Sequence, residues 1–184
     1  ASRVNGTTAD NSFGYVSPSM SGVTLHASYY TPSSGNASTY QDFGIKMSPE
    51  MVEGLEVGYA FGTSEATAGT EIDESTMYVK YAVGAVSIGY QTSDYDAPTA
   101  AASNDSTMMG ISYAVSDAFS IAYNQSEFDI GGAADDQKST GISASYTMGG
   151  ITVAGAMNST DNIAGSTATT ADKDAYEMSV SFAF

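Results

Sequence analysis

The sequence predicts an all-β fold of the transmembrane kind, an antiparallel up-and-down β-barrel of about eleven strands. Three observations predict it. Apolar residues recur at every second position in short segments along the whole chain, which is the period of a strand and not of a helix. The alternate face carries Ser, Gly, Ala and Thr with few charges, where a soluble sheet would present Lys, Glu and Arg. The final segment sets Tyr176, Met178, Val180, Phe182 and Phe184 against Glu177, Ser179, Ser181 and Ala183, an oily face that runs to the last residue.

The segments follow in order. Phe13 and Tyr15 open the series. Residues 23–30 set Val23, Leu25, Ala27 and Tyr29 against Thr24, His26, Ser28 and Tyr30. Residues 42–48 set Phe43, Ile45 and Met47 against Asp42, Gly44, Lys46 and Ser48. Residues 55–61 set Leu55, Val57, Tyr59 and Phe61 against Glu56, Gly58 and Ala60. In 76–82, Met77, Val79 and Tyr81 oppose Thr76, Tyr78, Lys80 and Ala82, and in 86–92, Val86, Ile88 and Tyr90 oppose Ser87, Gly89 and Gln91. The pattern returns around Ile111, Ile121, Ile142 and Val153, with Gly155 leaving a gap in the apolar row. No segment reads as a helix, although 49–53 could form a single turn.

Tight turns and longer loops alternate between these segments. Pro18 to Gly22, Ser48 to Gly54, Val83-Gly84, Ser116-Asp117 and Met148 to Gly150 supply the Gly, Pro and Asp that reversals need. The longer loops fall at 32–38, 65–74, 94–105, 128–137 and 159–172 and are rich in Ser, Thr, Asn, Gly and Asp. Tyr29, Tyr59, Tyr90, Tyr123 and Tyr146 are expected near strand ends, with Tyr81 and Tyr113 before tight turns. Two aromatic girdles at the membrane interfaces would account for them.

Composition narrows the function classes. The chain has 184 residues, no Cys and no Trp, and charged residues make up 14%, roughly half the usual share of a soluble domain. A single domain over 1–184 is expected. Net charge is −16, from 21 acids against 5 bases. That excludes a nucleic-acid partner, which needs a basic patch to neutralise phosphates. Acidic loops exposed to water account for the excess, and the sign suggests a preference for cations. The lack of Cys excludes a disulfide scaffold and a Cys-zinc centre. Ala1 to Gly6 read as no signal segment, and no apolar run approaches the ~20 residues of a membrane helix, so a crossing would be made by a closed sheet.

Two stretches resemble the Gram-negative general porins, particularly the alpha- and beta-proteobacterial type. One is Arg3 followed by Asp10-Asn11-Ser12-Phe13-Gly14-Tyr15-Val16-Ser17-Pro18, then Met20, Gly22 and Val23 through Tyr30. The other is the terminal strand, a feature shared with most outer-membrane barrels. The resemblance implies a sixteen-stranded barrel in the bacterial outer membrane, with a constriction loop after the fifth strand. Eleven strands would then be its C-terminal part, a domain incomplete at the N-terminus. It further implies a homotrimer embedded in outer-membrane lipid. Tyr176, Met178, Val180, Phe182 and Phe184 resemble the signal read by the barrel-assembly machinery.

Catalytic chemistry is not expected. His26 is the single histidine, and no Ser sits in a nucleophile elbow. The acidic clusters at 71–74 and 135–136 lack the glycine-anchored pattern of a calcium loop. No metal or cofactor is expected. The pore-lining candidates are Arg3, His26, Asp42, Lys46, Glu56, Tyr78, Lys80 and Glu177. Lys46, Lys80 and His26 would lie on one side of the lumen, and Asp42, Glu56 and Glu177 on others, giving a transverse field that favours ions and small hydrophilic solutes. The expected function is passive diffusion through a water-filled channel. A barrel that anchors or translocates another segment, and a secreted soluble β-rich adhesin, are the alternatives.

Overall fold

The computed structural model describes residues 12–31, 39–65 and 70–183. Among them are eleven strands: β1 (Ser12–Val16), β2 (Val23–Tyr30), β3 (Thr39–Met47), β4 (Leu55–Glu65), β5 (Glu71–Val83), β6 (Val86–Asp96), β7 (Asn104–Ala114), β8 (Phe119–Ile130), β9 (Gln137–Met148), β10 (Ile151–Asp161) and β11 (Lys173–Phe182). They form one sheet in chain order, each strand antiparallel to the next. Arg3 and Phe184 lie outside the described residues. The turn at 49–53 is hydrogen-bonded, Val52 N–H to the Pro49 carbonyl at 3.1 Å, but it is not a helix.

The strands occur where the alternation predicts them, but they run further at the long-loop end. β5 begins at Glu71, β7 at Asn104, and β8 continues to Ile130. Much of what reads as loop in the sequence is therefore strand. The reason is that ladder hydrogen bonds join backbones, so pairing continues after the side chains cease to be apolar. Tyr59, Tyr90 and Tyr123 consequently sit mid-strand and not at strand ends. They still mark the edge of the oily band, because the next outward residues are Phe61 and then Thr63, Thr92, and Gln125.

Register holds the faces apart across the sheet. Ile88 pairs with Ile111, Ile111 with Tyr123, Tyr123 with Ile142, Ile142 with Met157, and Met157 with Tyr176. One step along the same strands lies a polar row of Gly89, Gly110, Asn124, Gly141, Asn158 and Ala175. A slip of one residue in any pair would interchange the rows. No hydrophobic side chain is buried among the described residues. Ile88 is 50% exposed, Ile121 41%, Val153 41% and Val180 46%. These residues cover no dry core; they form one outer surface of a size that water does not tolerate.

Acids sit on that outer face too, but only beyond the oily band. Asp94 pairs with Asp105 and Asp105 with Asp129, which sets three carboxylates side by side on neighbouring strands. Asp73 likewise faces Asp96, and Glu65 faces Glu71. Adjacent like charges repel, and the repulsion grows as permittivity falls. Such a row marks the level at which the wall has left hydrocarbon.

The opposite end is tied by a repeated seam. Each short turn accepts a hydrogen bond from the strand end beyond it: Ser48 N–H to Gly22 O at 2.7 Å, Ala82 to Gly54 at 3.0 Å, Ala114 to Ala85 at 2.8 Å, Thr147 to Ala118 at 2.8 Å, and Ala183 to Gly150 at 2.7 Å. Gly54 is fixed by this contact. Its φ is 82°, and any Cβ there would collide with the Ala82 carbonyl. The backbone conformation alone costs an L-residue about 1–2 kcal/mol. Gly54→Val should therefore lower the refolded fraction, scored by heat-modifiable gel mobility. Gly89→Val, which meets nothing within 4 Å, should refold like the parent.

Candidate pore lining

The face opposite the oily one gathers most of the charged candidates on β2 to β5. Glu56 pairs directly with Lys80, and Gly58 lies between Lys46 on one side and Tyr78 on the other. The absent side chain at Gly58 matters here. The Tyr78 ring lies against that backbone so closely that a Cβ would overlap it. From there the Tyr78 hydroxyl donates to Glu56 Oε1 at 2.9 Å. Lys80 Nζ donates to the same oxygen at 3.2 Å and stands 5.3 Å from the Tyr78 ring centre. Lys46 Nζ approaches Glu56 Oε2 at 3.7 Å.

Three side chains from the two neighbouring strands thus converge on one carboxylate, and two lysines against one glutamate leave the cluster at +1. Both lysine side chains remain substantially open to water, so these pairs add little to stability. What they set is the local field. His26 and Asp42 lie beside the cluster; with Lys46 and Tyr78 they border a hollow of about 410 Å³. Asp42 accepts from the Ser28 hydroxyl at 2.7 Å.

This arrangement corrects the expected one. Glu56 is not opposite the lysines across an opening; it sits between them on the same wall. Glu177 is elsewhere, on β11, paired with Ala156 on a stretch of wall that also carries Ser143, Ser145, Ala154 and Ser179. The chain's acid excess is likewise no guide to the inner field, because the aligned acids on β4 to β8 face outward. Glu74 and Lys173 share the inner face, Glu74 with Gly62 and Tyr95, Lys173 with Thr160. Glu74 falls in a segment that reads as loop, and Lys173 falls just after one. Continuing the two-residue alternation past the last apolar residue would have placed them.

Tyr176, Met178, Val180 and Phe182 form the outer row of β11 and are all exposed. Among the described residues no group of His, Cys, Asp or Glu is arranged to hold a metal.

An antiparallel meander, oily outside and hydroxyl-rich inside, defines the wall of an outer-membrane β-barrel. The sequence profile of the Gram-negative porins matches residues 1–184. The chain belongs to that family, and it is a protein of the bacterial outer membrane. Solved structures share the fold. A porin refined at 1.8 Å resolution is 16% identical with a TM-score of 0.73, over 100% of this chain and 66% of that one. OmpT, an outer-membrane protein of Vibrio cholerae, is 17% identical with a TM-score of 0.55, over 82% and 53%. A mutant of the Rh. blastica porin is 22% identical with a TM-score of 0.58, over 95% and 56%. The chain therefore spans between 53% and 66% of the length of these structures. No curated protein is significantly similar in sequence.

Proposed function

We propose that this chain is the greater part of the wall of a water-filled channel through which ions and small hydrophilic solutes diffuse. The observation that carries the reading is the division of faces: no hydrophobic side chain is buried among the described residues, and most of the large apolar ones stand on the outer face. Such a wall is stable with lipid on one side and water on the other. It is a conduit and not an enzyme.

The wall needs further strands to close. β1 and β11 are both odd members of an up-and-down series and point the same way. Joining them directly would make a parallel pair, so an antiparallel closure takes an odd number of extra strands. Five would complete sixteen. A homotrimer in outer-membrane lipid, and delivery by the barrel-assembly machinery reading Tyr176, Met178, Val180, Phe182 and Phe184, belong to the same proposal. Within the lumen, His26, Asp42, Lys46, Glu56, Tyr78, Lys80 and Glu177 line the path, with Arg3 assigned there by resemblance. The cluster around Glu56 sets ion preference.

Purified full-length protein in a planar bilayer is expected to give stable, ohmic conductance steps. Folded protein that inserts and stays silent would overturn the channel and favour an anchor or translocator.

A further inference from the structure

The long connections are not independent tails. The β6–β7 and β8–β9 loops are joined by Gly131 N–H to the Ser103 carbonyl at 2.8 Å. The β8–β9 and β10–β11 loops are joined three times. Ala134 and Asp135 N–H both reach the Gly165 carbonyl at 3.3 Å, and Asn162 Nδ2 donates to the Asp136 carbonyl at 3.1 Å.

The β10–β11 loop takes an unusual path to make these bonds. Asn162, Ala164 and Gly165 all have positive φ, at 54°, 57° and 72°. Asn tolerates that conformation, whereas the Ala Cβ crowds the backbone there. Strain of this kind persists where surrounding contacts over-determine the backbone. Here the contacts direct the loop to one side. Ala164 N–H donates to Gln137 Oε1 at 3.0 Å. Gln137 pairs with Phe128, and Phe128 with Ser106, which pairs with Ser93. That is a row of the inner face, and Ser93 and Ser106 are 0% and 4% exposed. The turn at 163–165 accordingly packs on β8 and β9, and Gly165 is buried so tightly against Ala133 that a side chain would not fit.

We propose that residues 162–165 are a fixed inward brace that narrows the mouth of the passage at the long-loop end and contributes to its size cut-off. This rests on the channel reading. The brace is separate from the cluster around Glu56, which lies on β3 to β5, so it would limit size without setting charge preference.

These 184 residues hold no Cys, so an introduced thiol is the only one they present. Ala164→Cys keeps a small side chain at an exposed position, and Thr140→Cys places the same probe on the outer face of β9, in the row of Gln125 and Ser159. Full-length variants in planar bilayers are recorded before and after a bulky, uncharged thiol reagent. Labelling Ala164→Cys should reduce single-channel conductance roughly twofold while leaving the cation-to-anion permeability ratio unchanged. Labelling Thr140→Cys should leave both unchanged. A conducting, fully labelled Ala164→Cys channel with unaltered conductance would overturn the brace alone, as would equal effects at the two positions. Absence of conductance in the parent protein would instead sink the channel, and the brace with it. A second variant reads the opposite change: Asn162→Ala combined with Gln137→Ala frees the loop and should admit larger sugars in a liposome-swelling assay. An unchanged cut-off in that variant would also overturn the proposal.

Discussion

Ile111→Lys should sharply destabilise the inserted protein, whereas Ser112→Lys, one residue away, should fold nearly as well as the parent. Ile111 is 46% exposed on the outer face, between Ile88 and Tyr123. It lies near the middle of the oily band, far from the acids that mark the band's edge. A lysine near the bilayer midplane costs about 2–4 kcal/mol on the lipid face of a barrel. That is a large part of the net stability of a typical domain, roughly 5–15 kcal/mol. Ser112 pairs with Ser87 and Ala122 on the inner face, where water can solvate an added ammonium. Urea titration of folding into phospholipid vesicles measures the difference. Equal losses at the two positions would mean that the faces are reversed.

The second large effect concerns charge. Replacing both Lys46 and Lys80 by Glu changes the cluster around Glu56 from +1 to −3. Each unit charge about 5 Å from a passing ion is worth roughly 0.8 kcal/mol even at the permittivity of water. Screening over ~8 Å reduces but does not erase this. The cation-to-anion permeability ratio should therefore rise by roughly tenfold, because 1.4 kcal/mol is a factor of ten in a partition constant. Reversal potential across a salt gradient reads it directly. Asp105→Lys shifts the charge of the outer face by +2, beyond the oily band, and should leave the ratio nearly unchanged. If it shifts the ratio as far as the double exchange, ions are responding to net charge and not to the cluster.

The two variants also separate the kinds of information in the chain. The sites of Ile111 and Ser112 were legible from alternation, because a strand sends successive side chains to opposite faces whatever surrounds it. The order of elements was legible too, since tight turns leave antiparallel neighbours as the next partners. Strand ends were not. Glu71, Asp94, Asp105 and Asp129 read as loop residues because the apolar signal stops at the lipid boundary, while the backbone ladder that holds them does not.

By itself, then, the sequence determined the fold class, the number of strands described, and which side chains meet lipid. Those follow from a two-residue period that each segment carries alone. Only the tertiary structure decided that Glu56 lies between Lys46 and Lys80, that the acids aligned on β4 to β8 face outward, and that Ala164 bends toward Gln137. Each depends on the register between strands distant in sequence, or on a missing side chain such as that of Gly58. Both are relations between segments, and local periodicity contains no record of them.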